Sequence, residues 1–124
     1  MATFGLGGEV GAVLDLTSPQ LSSELAEIDE RIQVLTGLID AHGRLEEVNE
    51  VIRFCTDPRS ALLALQQEPF GYSRCQAQAV LDMPMSWQAA EIGDALRQER
   101  AELASRRAGL REQVAEILAL HWFG

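Results

Sequence analysis

A chain of 124 residues, 47% apolar and only 6% aromatic, has room for one domain with a modest core. Such a composition suits aliphatic helix packing better than a sheet-rich fold. The formal net charge is −9 and all the basic residues are arginines, so nucleic-acid phosphates repel the chain unless those arginines gather on one face.

Half of the arginines do fall between Arg97 and Arg111, but Glu99, Glu102 and Glu112 are interleaved with them. Mixed charge of this kind reads as a solvated helix surface, and no independent DNA binding is expected. Cys55 and Cys75 stand far apart with no CxxC or Cys/His cluster, which indicates neither zinc nor a disulfide framework. No metal, no cofactor and no small-molecule substrate are expected. No apolar run nears the ~18 residues of a membrane span. Residues Met1 to Thr17 lack a basic n-region and carry Glu9 and Asp15, unlike a secretory signal. A cytoplasmic protein is expected.

In chain order, residues 1–17 are glycine-rich (Gly5, Gly7, Gly8, Gly11). They lack the preceding strand and the Lys-Ser/Thr of a phosphate loop, and are expected to form a flexible leader. The folded domain is expected over 18–124. Ser18 and Pro19 supply a cap and a first-turn proline. Leu21, Leu25, Ile28, Ile32, Leu35 and Ile39 then recur at steps of four and three, the apolar stripe of a helix over about 18–42. His42 and Gly43 close it, with His42 expected to serve the free carbonyls of the helix end.

A helical head is expected over about 44–85. Leu45, Val48, Val51 and Ile52 line one face of its first helix. Asp57-Pro58 repeats the cap-then-proline signal, and Ala61, Leu62 and Leu65 carry a second helix to Pro69. After Phe70-Gly71-Tyr72 turns the chain, Ser73 and Gln76 form a capping box. It opens a helix through Ala77, Val80 and Leu81 that Pro84 stops. Ser86 is expected to cap the last and longest helix, over about 86–120. Leu96, Leu103, Leu110 and Ile117 fall seven apart along it, with Ile92 and Val114 on the other seam. At 1.5 Å per residue the last helix is roughly 50 Å long and the first roughly 35 Å. Neither buries its stripe alone, so the two are expected to pair antiparallel through a seam of Leu25, Ile28, Ile32, Leu35, Leu96, Leu103, Leu110 and Ile117. The expected fold is all-α: a two-helix coiled-coil arm with a small helical head.

Two segments resemble a known family. Leu35-Thr36-Gly37-Leu38-Ile39 followed by Leu45-Glu46-Glu47-Val48-Asn49-Glu50-Val51-Ile52-Arg53 is similar to a Leu-x-Gly-Leu segment leading into an Ile-Asp-Glu-Val-Ile-x-x-Ile-Arg helix in DNA gyrase A. Tyr72-Ser73-Arg74-Cys75-Gln76-Ala77-Gln78-Ala79-Val80-Leu81-Asp82-Met83 resembles that family's Leu-Ser-Glu-x-Gln-Ala-Gln-Ala-Ile-Leu-Asp-Met. The likeness covers about residues 21–120 and points to the coiled-coil exit-gate (C-gate) dimerisation domain found in the A subunits of DNA gyrase and topoisomerase IV, the type IIA topoisomerases. It implies a homodimer closed through the head, with Phe70, Tyr72, Ala77, Val80, Met83, Met85 and Trp87 at the gate.

Where the family continues Asp-Met with Arg-Leu and then Leu-Thr-Gly-Leu-Glu, this chain has Pro84-Met85 and Ser86-Trp87-Gln88-Ala89-Ala90-Glu91. The basic segment and tyrosine with which the family cuts DNA, and its ATPase motifs, have no counterpart here. Tyr72, the only tyrosine, aligns with a structural Leu and is read as a packing residue. No catalytic residue is assigned, and a free-standing, non-catalytic interaction module is expected. The alternatives are a regulatory partner that heterodimerises with gyrase or topoisomerase IV, and one component of a split topoisomerase.

Overall fold

The computed structural model describes residues 20–123. Among the described residues all regular structure is helical: α1 Ser22–His42, α2 Leu45–Phe54, α3 Pro58–Gln66, α4 Arg74–Asp82, a 3-10 turn Met85–Gln88, and α5 Ala90–Phe123. The expected all-α class is therefore correct. The glycine-rich leader and the Ser18-Pro19 start signal lie outside the described residues. One compact unit is Arg31–Glu102; the other joins residues up to Glu30 with those from Leu103 on.

Local chemistry explains most helix boundaries. Asp57 is extended, and its Oδ1 accepts a hydrogen bond from the Ser60 amide at 2.7 Å. Pro58 occupies the first turn, where its missing N–H is no loss. Those amide bonds hold the Asp57 carboxyl below its ordinary range. The Ser73–Gln76 capping box is complete: Ser73 Oγ accepts from the Gln76 amide at 3.1 Å and Gln76 Oε1 from the Ser73 amide at 2.9 Å. Pro84 ends α4 as expected.

Two details differ from the sequence reading. Ser86 does not open the last helix. Residues 85–88 make a single 3-10 turn, and the extended Ala89 separates it from α5. The Ala89 carbonyl faces His42 Nε2 at 2.9 Å, and buried Trp87 ties the turn down (4% exposed). A helix running on from Ser86 would lose both contacts. At the other end α5 continues to Phe123, because no Gly or Pro interrupts the sequence between Leu110 and Phe123.

Unit Arg31–Glu102 holds the densest core. Leu35 and Leu65 are fully buried and Val48 nearly so, with Leu38, Ala41, Ala61, Ala77, Val80 and Leu96 around them. Each buried Leu or Val contributes about 1.5–3 kcal/mol of transfer free energy. Within this unit α1 and α5 run antiparallel, since Arg31 pairs with Glu99 at 2.8 Å while His42, eleven residues on, meets Ala89. The bidentate Arg31 contact holds the Glu99 carboxyl low. In the other unit Glu24 pairs with Arg106, and Asp29 with Arg107 at 3.0 Å. Ile28 is buried there, and Leu25, Leu103, Leu110 and Ile117 are half-buried. These ion pairs are solvent-exposed and worth about 0.2–1 kcal/mol each at most; they select a pairing rather than hold it.

Two glycines permit close approaches. A Cβ on Gly37 would lie 2.7 Å from Cβ of Gln76, and one on Gly93 would lie 2.7 Å from the His42 ring. Gly37 thus lets α4 dock on α1, and Gln76 Nε2 donates to the Gln33 carbonyl at 2.7 Å. Gly109, by contrast, has open space around it. Gly37→Ala should therefore destabilise the chain by about 1–3 kcal/mol through overpacking, despite better helix propensity. Gly109→Ala, free of that clash, should stabilise it by about 0.5–1 kcal/mol. Urea denaturation followed by circular dichroism measures both, and equal responses at the two positions would refute the close-packing account.

Candidate interaction site

The seven residues assigned to the gate divide sharply by exposure. Tyr72, Ala77, Val80 and Trp87 are buried within this single chain, at 5%, 0%, 4% and 4%. Phe70 and Met83 are half-buried, and Met85 is 83% exposed. The proline break does not free Trp87, whose ring meets His42 edge-on at 5.6 Å. Asn49 and Gln88 exchange reciprocal amide bonds at 3.3 and 3.0 Å. Together with the His42–Ala89 contact they clamp the 3-10 turn at its C-terminal end. Met85, at its start, is left facing solvent.

Tyr72 belongs to a second polar cluster. Its hydroxyl donates to Asp40 Oδ2 at 2.7 Å, and Arg44 binds the same carboxylate at 3.1 Å. Arg44 also lies over the Phe70 ring, 5.2 Å from the centroid, and Phe70 packs against Tyr72 with ring centroids 5.6 Å apart. Burial pushes the Tyr72 phenol well above its ordinary value, and the Asp40 bond pushes it further. A phenol so placed is a poor nucleophile, because its anion is disfavoured by both burial and a neighbouring carboxylate. His42 interacts with the carbonyl of Ala89, not with a free carbonyl of its own helix end.

The structure also shows surface that the sequence reading passed over. An open groove of about 420 Å³ is lined by Val51, Phe54, Cys55, Pro69 and Phe70, with Glu47 and Glu50 at its edge. Phe54, the last residue of α2, is 79% exposed. The available signal was its register: Leu45, Val48, Val51 and Ile52 define the apolar stripe of α2, of which Val48 is buried, and Phe54 falls off it. Among the described residues no group of three or more His, Cys, Asp and Glu side chains is disposed to hold a metal ion.

The two segments that carry the resemblance are in contact. Gly37 of Leu35-Thr36-Gly37-Leu38 is the floor on which Gln76 of Gln76-Ala77-Gln78-Ala79 rests. Gln78, the second glutamine, points away and donates to Asp82 on its own helix at 2.8 Å. The fold and this junction define an all-helical module built around docking of a capped short helix onto a long one. No family model matches the chain. It is 37% identical over 87 residues to the A subunit of DNA topoisomerase 4 from Synechocystis sp., covering 70% of this chain and 9% of that protein. With the corresponding protein of Caulobacter vibrioides it shares 33% over 91 residues, 73% of this chain and 12% of the relative. With the A subunit of DNA gyrase from a Nocardioides species it shares 32% over 107 residues, 84% and 11%. The chain is homologous to a segment of the A subunits of DNA topoisomerase IV and DNA gyrase. It spans about a tenth of the length of the curated relatives it matches.

Because the chain has one tyrosine, its titration reports one environment. Folding favours the neutral phenol, so the stability it contributes is complete below the unfolded value of about 10. That contribution falls as pH rises toward the higher folded value. Tyrosinate absorbance of the native chain should therefore stay flat beyond pH about 10 and emerge together with loss of helicity. Tyr72→Phe should cost about 1 kcal/mol at neutral pH through the lost hydrogen bond. It should also flatten the alkaline decline in melting temperature. Ordinary titration in a chain that remains helical would contradict this.

Proposed function

We propose that this chain is a non-catalytic interaction module related to the exit gate of type IIA DNA topoisomerases. In this reading α1 and α5 pair as a coiled-coil arm, and the helices between them form a head that closes a homodimer. The observation that carries it is the Gly37–Gln76 junction: both segments similar to gyrase A are sides of one packing contact. The homology to topoisomerase IV and gyrase A subunits over most of the chain supports the same reading.

The burial pattern favours a division of labour at the gate. Met85, with Met83 and Phe70, supplies the contacting surface. Tyr72, Ala77, Val80 and Trp87 hold that surface in place from beneath. An exposed apolar side chain on a fixed backbone enters a partner at a lower ordering cost than one on a free segment, which is how small contacts gain affinity. Symmetry would use Met85 twice. No described helix is long and apolar enough to cross a membrane, and the proposed setting is the cytoplasm. The similarity to topoisomerase subunits also supports a second reading, in which the head pairs with the corresponding subunit of a type IIA topoisomerase.

Sedimentation equilibrium at micromolar concentration should give twice the 13.6 kDa chain mass. Met85→Glu should yield a monomer with its melting temperature nearly unchanged, since exposed substitutions shift stability by only about 0.5 kcal/mol. Leu96→Glu buries a charge in the α1–α5 seam and should cost about 3 kcal/mol or more, lowering helicity first. A monomeric parent chain sinks the homodimer; a dimeric Met85→Glu moves the interface elsewhere. Adding a purified topoisomerase IV A subunit to the same run tests the second reading.

The purified chain should neither cleave nor relax plasmid DNA, and should not retain duplex at ~150 mM salt, where weakly charged contacts are lost. A covalent DNA adduct that disappears in Tyr72→Phe would overturn the non-catalytic reading.

A further inference from the structure

The groove beside Phe54 shares only Phe70 with the proposed gate surface and points to a second contact. We propose that it is a docking site for a short cationic, apolar segment of another protein. An apolar side chain would sit among Val51, Phe54, Cys55, Pro69 and Phe70, with a neighbouring Arg or Lys against Glu50 and Glu47.

A single exposed phenylalanine is ordinary on a protein surface. Here, however, Phe54 stands at 79% exposure over a groove of about 420 Å³ whose other walls are also apolar. That volume lies within the range of sites that take a few side chains. Charge selects the occupant. Glu47 has Arg44 at 3.8 Å, and Arg44 is already engaged by Asp40 and the Phe70 ring. Glu50 has no ion-pair partner among the described residues. An apolar floor with a free carboxylate at its edge fits a segment in which apolar and basic residues adjoin.

The same charges disfavour a second copy as occupant. A two-fold contact through this groove would set each Glu50 near its own counterpart. Like charges facing across an interface suppress that pairing. The occupant is therefore a basic segment of a different protein.

The test uses the whole chain and a short fluorescent amphipathic peptide of leucine and arginine, beside a twin with glutamate in place of arginine. Fluorescence anisotropy should show saturable binding of the arginine peptide alone. Cys55 lines the groove, whereas Cys75 is exposed elsewhere on α4. Bound peptide should thus slow alkylation of Cys55 and leave Cys75 unchanged. Phe54→Ala and Glu50→Arg should each weaken binding about tenfold, with helicity retained because both side chains are exposed. Glu112→Arg, the same charge change on α5, should leave affinity unchanged. Equal binding of the two peptides, equal loss in Glu112→Arg, or unprotected Cys55 overturns the proposal. Sedimentation of Phe54→Ala and Glu50→Arg should match the parent. A changed mass would make the groove a face between copies and likewise overturn it, whereas a monomeric parent with peptide binding intact removes only the homodimer.

Discussion

One amide side chain holds the compact unit Arg31–Glu102 in its arrangement. Gln76 accepts from the Ser73 amide with its oxygen and donates to the Gln33 carbonyl with its nitrogen. It therefore starts α4 and fastens α4 to α1 at once. A carbonyl in mid-helix keeps a second lone pair after its intrahelical bond. A side chain four residues on would ordinarily lie over that turn. At Gly37 nothing covers it, so the amide reaches in. A neutral hydrogen bond is worth about 1 kcal/mol net, but this one also sets how Ala77 and Val80 meet the core. Those residues, with Leu35 and Leu65, supply the larger hydrophobic contribution.

The remaining polar contacts in this unit act as alignment devices. The Asn49–Gln88 exchange and the His42–Ala89 contact fix the 3-10 turn, while Tyr72 and Arg44 converge on Asp40. No buried side-chain nitrogen or oxygen among the described residues lacks a partner. Unsatisfied groups would each cost about 1–3 kcal/mol, so the half-buried polar residues define the arrangement without undermining it. Arg106 and Arg107 of α5 meet acids of α1 in one unit, and Glu99 of α5 meets Arg31 of α1 in the other. The interleaved charges of Arg97–Arg111 are thus partly neutralised by protein carboxylates, a use that composition alone left open.

Periodicity and capping chemistry were legible residue by residue. The stripe from Leu21 to Ile39, the Asp57-Pro58 start and the Ser73–Gln76 box each involve positions within one or two helical turns, so sequence spacing states their geometry directly. Exposure at the proposed gate was not legible in that way. Trp87 and Met85 both flank Pro84 as large apolar residues two apart, and nothing local distinguishes them. Trp87 is buried because His42, forty-five residues earlier in the chain, supplies its edge contact. Met85 has no such partner. Phe54 was missed because an aromatic outside the stripe carries no sequence mark for the turn at Pro69-Phe70 that completes its groove.

The sequence by itself determined the all-helical class, the starts of α3 and α4 and the kinship with topoisomerase IV and gyrase A subunits. Each of these rests on local hydrogen bonding, on a short repeat period or on a motif readable in one dimension. Only the tertiary structure decided which apolar residues were buried within the chain and which were left exposed. It also decided that the two family-like segments are halves of one contact. Burial depends on neighbours supplied by distant parts of the chain, and Gln76 learns of Gly37 only when α4 lies on α1.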